Sequence, residues 1–436
     1  MDNIINNNWN YDNYTPLHET KTKVFISQIS PSEFEIEVSI VNAEGGFLYY
    51  KEFEKNSFSA IIINNGKAII KAKNNTVYEI FAESKTNEKS LIRLAETGNY
   101  YGKVINYLHK DDKAFSFSGQ YLCSPCIIKL QNGKILISMD VYRHMGPQNL
   151  TFLFESNDDG KTFDYVTSIF PCFWGQMFEH NSKLYMLSTS CEYGDLLIGE
   201  SLDDGKTWSS PKVLLRGSGN VYSPGIGKAP VPVIEYEDYL YTAVEWGCWE
   251  KMKYASTILK AKKNSDLLNP LNWVFCGFMP FDSKWNNYID MVGGIEGNVV
   301  ISNENEILNF LRFDKNEALV MQYKNNEIIF KDIRQFPFGH TKFEIRKYKN
   351  LYYAVGNEFP GRNCLAIYTS KDLHVWDKLT DVVNLRHLDE AKVGFQYPSF
   401  FIHNGIMNIA SRTAINNANN FHDSNCITFH QVKLNE

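Results

Sequence analysis

From Phe34 to Ile40 the apolar residues Phe34, Ile36, Val38 and Ile40 alternate with Glu35, Glu37 and Ser39. This period-2 pattern predicts a strand with one face in a core. Ile61-Ile62-Ile63 and Ala68-Ile69-Ile70 flank Asn65-Gly66, the residue pair that a type I′ turn requires, so a hairpin is predicted there. Residues 1–100 therefore read as a small β-sandwich-like domain, and Gly98 and Gly102 mark its junction with residues 101–436. Beyond about residue 120 one unit recurs: an apolar strand, a short polar turn, a second strand, a third, and another turn. The first turns of the units are Asn132-Gly133, Asn181-Ser182, Glu237-Asp238, Asn303-Glu304, Lys349-Asn350 and Asn404-Gly405. Their steps of roughly 45–65 residues match one four-stranded blade plus loops, so an all-β, six-bladed β-propeller is predicted. The last unit stops after Ile427–Val432, and Val104–Leu108 is the natural fourth strand, because closing the ring removes two sheet edges.

A second repeat is more specific. Ser156-Asn157-Asp158-Asp159-Gly160-Lys161-Thr162-Phe163 and Ser201-Leu202-Asp203-Asp204-Gly205-Lys206-Thr207-Trp208 are two copies of S-x-D-x-G-x-T-[WF], and Ser370–Trp376 is a degenerate third. The aspartate accepts backbone N–H groups in a tight turn, the glycine supplies positive φ, and the aromatic ring fills the gap between sheets. The motif resembles the Asp-box, or BNR repeat, of the sialidase superfamily of propeller glycosidases, and its role there is structural.

Composition narrows the function. Aromatic residues make up 14% of the 436, too many for a disordered chain. The 44 basic and 50 acidic residues are interspersed, for a net charge of −6, so no nucleic-acid footprint is present. No apolar run is long enough for a membrane span, and the Asn-rich start lacks the basic and apolar regions of a signal peptide. A cytoplasmic location with no membrane partner is expected. The eight cysteines are dispersed, and Cys123-Ser124-Pro125-Cys126 has no second pair at zinc-site spacing, so buried free thiols and no metal or other cofactor are expected.

In a propeller, ligands meet the residues that enter the first strand and leave the second strand of each blade. The repeat puts Ser124, Trp174, Lys228, Glu296, His340 and Gln396-Tyr397 at the first position. It puts Arg143, Glu192, Glu245-Trp246, Arg312 and Arg412 at the second. Carboxylates for acid, base or nucleophile, arginines for acidic groups and rings for stacking together describe a sugar site. Arg412, His422 and Asp423 also lie in or beside the polar stretch linking the second and third strands of the last unit, which suits a substrate loop.

The superfamily resemblance, covering roughly residues 115–432, implies more. It matches Glu296 with Arg312 sixteen residues on, Arg362 before the third Asp-box, and Tyr397 as a nucleophile activated by Glu296. It also fails twice: Cys123-Ser124-Pro125 stands where Arg-Ile-Pro opens the first blade, and Pro147-Gln148-Asn149 where the acid/base aspartate belongs. The resemblance implies an exo-acting glycoside hydrolase releasing a terminal acidic sugar from an oligosaccharide or glycan. The candidate catalytic residues are Glu296, Tyr397, Glu245 and His340. The candidate substrate-binding residues are Arg143, Glu192, Lys228, Trp246, Arg312, Arg362, Arg412, His422 and Asp423. Three other schemes use the same mouth. The first is a Glu245/Glu296 pair like that of exo-arabinanases. The second is a uronate lyase with His340 or His422 beside Tyr397. The third is a carbohydrate-binding propeller without catalysis.

Overall fold

Ile36, Val38 and Ile40 turn inward and Glu35, Glu37 and Ser39 outward along the strand Glu35–Val41, while Phe34 stands exposed just before it. The computed structural model describes residues 24–98, 101–251, 253–285 and 294–434. Up to Glu96 the strands form two antiparallel sheets, and Val24, Ile36, Val38, Leu48, Ile70 and Ile80 are buried between them. The Asn65-Gly66 turn has both residues at positive φ, 51° and 69°, as type I′ demands. It does not close a hairpin within one sheet. Ser59–Ile62 pairs with Phe47–Glu52 in one sheet and Lys67–Lys71 pairs with Glu35–Val41 in the other, so the turn carries the chain across the sandwich.

From Lys103 onward the chain builds six antiparallel sheets in sequence, each containing at least four strands. They begin with Tyr121–Lys129, Phe173–His180, Gly225–Gly227, Ile295–Ile301, Glu344–Tyr348 and Gly394–His403. The sixth is completed by Lys103–Tyr107 against Cys426–Lys433, the pairing expected from the repeat. Apolar clusters fill the spaces between neighbours: Phe310 and Phe343 between the fourth and fifth sheets, for example, and Ile127 and Ile427 between the sixth and first. Side-chain bonds to backbone cross the same spaces. Met177 N–H reaches Cys126 Sγ, Ile345 N–H reaches Asn298, Phe400 N–H reaches Glu344, and Ile127 N–H returns to Ser399. Among the described residues the helical pieces are two single-turn segments, Pro270–Asn272 and Ser283–Trp285.

The S-x-D-x-G-x-T turns are built alike. Thr207 donates its N–H (2.9 Å) and hydroxyl (2.7 Å) to Asp203, and Gly205 donates to Ser201 Oγ (2.8 Å). Asp158, Thr162, Gly160 and Ser156 repeat these contacts. Trp208 is buried between the first and second sheets. Asp203→Ala is therefore expected to lower stability by about 1–2 kcal/mol, read as a fall in Tm, and to leave any activity unchanged.

Candidate functional site

Four of the six first strands carry a bulge at their opening end. Register shifts occur at Cys123–Cys126, Phe173–Gln176, Ile295–Asn298 and Gln396–Ser399. Within them Ser124, Trp174, Glu296 and Tyr397 adopt positive φ, between 48° and 55°. Non-glycine residues pay about 1 kcal/mol or more for that conformation, and it re-aims the side chain. Three of the four bulges are held from the preceding sheet. Asp140 accepts Trp174 N–H (2.7 Å), Glu245 accepts Gly297 N–H (3.0 Å), and the buried Lys342 donates to the Pro398 carbonyl. Strained backbone and buried charge are thus concentrated at one mouth.

At its centre Tyr397 Oη donates to Glu296 Oε1 at 2.6 Å, and Arg312 Nη1 donates to Glu296 Oε2 at 3.2 Å. The Arg412 guanidinium lies over the Tyr397 ring (5.4 Å) and the Tyr142 ring (5.1 Å). Arg362 lies over Phe421 (5.3 Å) and donates to Gln396 Oε1, while Arg412 donates to the His422 carbonyl. Arg312 has a carboxylate partner. Among the described residues, Arg362 and Arg412 have only neutral acceptors. Burial, with Arg312 beside it, lowers Arg362 to about 10. Burial next to Glu296 raises the Tyr397 phenol, against the pull of Arg312, Arg362 and Arg412. The phenol therefore stays protonated until a base takes the proton.

Glu192 stands at the same mouth, accepting from Gln148 Nε2 (2.5 Å) and Trp249 Nε1 (2.7 Å). Burial raises its pKa against those two bonds. The His422 ring packs on Tyr142 (5.2 Å) and its Nδ1 lies 3.3 Å from Asp423. Arg412, then burial, lowers His422 to about 4, and the His422 bond helps hold Asp423 at about 2. His340 packs on Phe359 (5.4 Å), and burial together with Arg362 and Arg312 lowers it to about 4, so it is neutral at pH 7. Arg143 is half-buried on the rim, near Tyr121.

Three expected site residues lie elsewhere. Trp246 packs in the apolar space between the second and third sheets. Lys228 is sealed beneath the mouth beside Thr242, and burial lowers it to about 8. Glu245 is also sealed, with one oxygen on the Gly297 N–H, and burial raises it to about 8. Three participants escaped the repeat analysis: Tyr142, Trp249 and Phe421. The bulges did have a signal, since Pro125, Gly175, Gly297 and Pro398 each follow a left-handed residue.

Asp140 is raised to about 8 by burial as well. An unfolded aspartate titrates near pH 4, so between about 4 and 8 the folded chain keeps a proton that the unfolded chain loses. The stability this contributes is complete below about pH 4 and disappears as pH rises through about 8. Tm is expected to fall between pH 5 and 9, and Asp140→Asn to flatten that slope; a slope unchanged by the substitution would show that Asp140 ionises normally.

Glu358, Cys364 and Asp381 converge within 4.8 Å of one another, but Lys378 already pairs with both carboxylates (3.1 and 2.6 Å). A cavity of about 990 Å³ lies away from this mouth, between Arg93–Glu96 and the outer edge of the sixth sheet. Among the described residues no helix is long and apolar enough to cross a membrane.

No family profile and no curated protein sequence matches the chain. Solved structures do. The Hadza microbial sialidase Hz136 superposes with a TM-score of 0.54 at 12% identity, over 95% of this chain and 94% of its own. The Penicillium chrysogenum alpha-L-arabinanase complexed with arabinobiose gives 0.51 at 10% identity, over 76% of this chain and 97% of its own. A Dyadobacter fermentans protein of unknown function gives 0.55 at 12% identity, over 77% and 98%. At these identities the likeness establishes a fold of the kind seen in propeller glycosidases.

Proposed function

We propose that the six sheets are the blades of a sialidase-like propeller, preceded by a sandwich domain, and that the protein is an exo-acting glycoside hydrolase for a terminal acidic sugar. The observation that carries this reading is the Tyr397–Glu296 pair under three guanidinium groups, two of which have no carboxylate among the described residues. A buried cation without a counter-ion is costly, and a substrate carboxylate supplies one. Arg412 comes from the second strand of the sixth sheet and acts near Cys123 of Cys123-Ser124-Pro125, where the first-blade arginine is missing.

In this reading Glu296 Oε1 takes the phenolic proton as Tyr397 Oη attacks the anomeric carbon, and the bond to the leaving oxygen breaks. Glu192, whose pKa burial raises, delivers a proton to the leaving oxygen. Water then displaces the tyrosine, giving its proton to Glu192 while Glu296 returns one to the phenolate. Glu245 and Lys342 position the Glu296 and Tyr397 bulges without touching the sugar.

The reading is tested by a panel of aryl glycosides. Arg412→Ala is expected to raise KM about 10–100-fold for an acidic sugar, roughly 1.5–3 kcal/mol for a charge-assisted contact, and to leave its neutral amide unaffected. Equal loss on both would contradict a carboxylate clamp. Glu192→Gln is expected to slow alkyl glycosides far more than nitrophenyl glycosides, whose leaving group needs no proton. Equal slowing of both would assign the acid elsewhere.

A further inference from the structure

On the same face as the mouth, behind the His422–Asp423 wall, lies a cavity of about 470 Å³ that the catalytic reading does not use. Its far side is supplied by the N-terminal domain, through Lys51 and Glu79, and its near side by Tyr121 and the Asn416–Asn419 loop. The two concavities share a boundary: Tyr121 pairs with Tyr142, Tyr142 packs on His422, and Asp423 accepts from Asn419 on the cavity side (2.7 Å).

The chemistry of the cavity differs from that of the mouth. Lys51, Lys110 and Lys392 are matched there by Glu79, Asp111 and Asp423, and Lys51 pairs with Glu79 at 2.8 Å. Among the described residues the lysines and carboxylates of the lining balance, with no excess charge for an anion. Amide groups dominate the loop, and the Asn416 Nδ2 donor is buried without a partner among the described residues. Balanced charges, amides and a tyrosine face suit a neutral polyhydroxyl ligand, whose hydroxyls both donate and accept. We propose that this cavity binds neutral sugar units, and that the N-terminal domain thereby forms the subsite for the part of a glycan beyond the cleaved bond. The binding stands independently of the hydrolase reading; its role as a leaving-group subsite rests on that reading.

Lys51→Met keeps the aliphatic stem and removes the charge, and Asn416→Gly removes the amide at a φ of 51° that glycine accepts freely. Calorimetry or saturation-transfer NMR with lactose, maltose and arabinobiose on the full chain is the direct test. Millimolar binding of at least one disaccharide is expected, retained by Tyr397→Phe and weakened at least fivefold by each cavity variant, with Asn416→Gly at unchanged Tm. No binding to the unmodified protein, or binding that neither cavity variant weakens, would overturn the proposal. With a cleavable oligosaccharide the two variants are expected to raise KM about tenfold, with the aryl glycoside of the same terminal sugar unaffected. If disaccharide binds and nothing is cleaved, the hydrolase reading fails and the site stands.

Discussion

Glu296→Gln is expected to lower turnover by three orders of magnitude or more, a barrier increase of about 4 kcal/mol, while the protein stays folded. The carboxylate faces two partners of opposite demand. It must accept the Tyr397 proton across 2.6 Å and remain paired with Arg312 at 3.2 Å. A carboxamide keeps the size and one acceptor, so the local packing survives. It cannot carry the transferred proton, and its NH2 group opposes the Arg312 donor. The measurement is kcat alongside Tm: a large loss in the first with a shift of a few degrees in the second. Near-native turnover in Glu296→Gln, with complete loss in His340→Ala, would exclude hydrolysis through Glu296 and favour proton abstraction by the neutral histidine.

Tyr397→Phe is expected to be as damaging as Glu296→Gln. The ring would still fill its space against Arg412 at 5.4 Å, and the bulge would still be held by Lys342. Only the phenolic oxygen, the proposed nucleophile, is lost. The contrast is Glu245→Gln. In a two-glutamate mechanism this substitution matches Glu296→Gln in its effect on turnover. In the arrangement observed, the Glu245 oxygen serves the Gly297 N–H beneath the mouth, and a glutamine oxygen can accept the same bond. Its variant is expected to retain turnover within about tenfold, through a slightly looser Glu296.

Much of the fold was legible because strand turns announce themselves locally. The Asn-Gly and Asn-Ser pairs mark chain reversals, and the incomplete last unit pointed to Val104–Leu108 as its missing edge, where the structure has Lys103–Tyr107. What a turn connects is set by packing, not by the turn, so Asn65-Gly66 was read as a hairpin although it links two sheets. The site divides in the same way. The sixteen-residue interval between Glu296 and Arg312 fixes them on adjacent strands, and the structure brings Tyr397 to them from another sheet. Side-chain direction at the bulges was not legible. A period-2 argument reverses at every extra residue, and Glu296 and Tyr397 are themselves bulge residues. Neither was the use of a buried carboxylate: Glu245, a catalytic candidate in sequence, accepts a backbone amide beneath the mouth, as Asp140 does under the second sheet. Arg412 was a substrate-binding candidate in sequence, but its stacking on Tyr142 and Tyr397, residues 270 and 15 positions away in the chain, was not legible there.

The measurement that bears most directly on the account is product analysis on a panel of end-labelled oligosaccharides carrying terminal acidic sugars, followed by mass spectrometry and ultraviolet absorbance, with Tyr397→Phe run in parallel. The predicted result is release of one terminal monosaccharide with addition of water, no new absorbing double bond, and no release by Tyr397→Phe. An unsaturated product, or equal release by the unmodified protein and Tyr397→Phe, would contradict it.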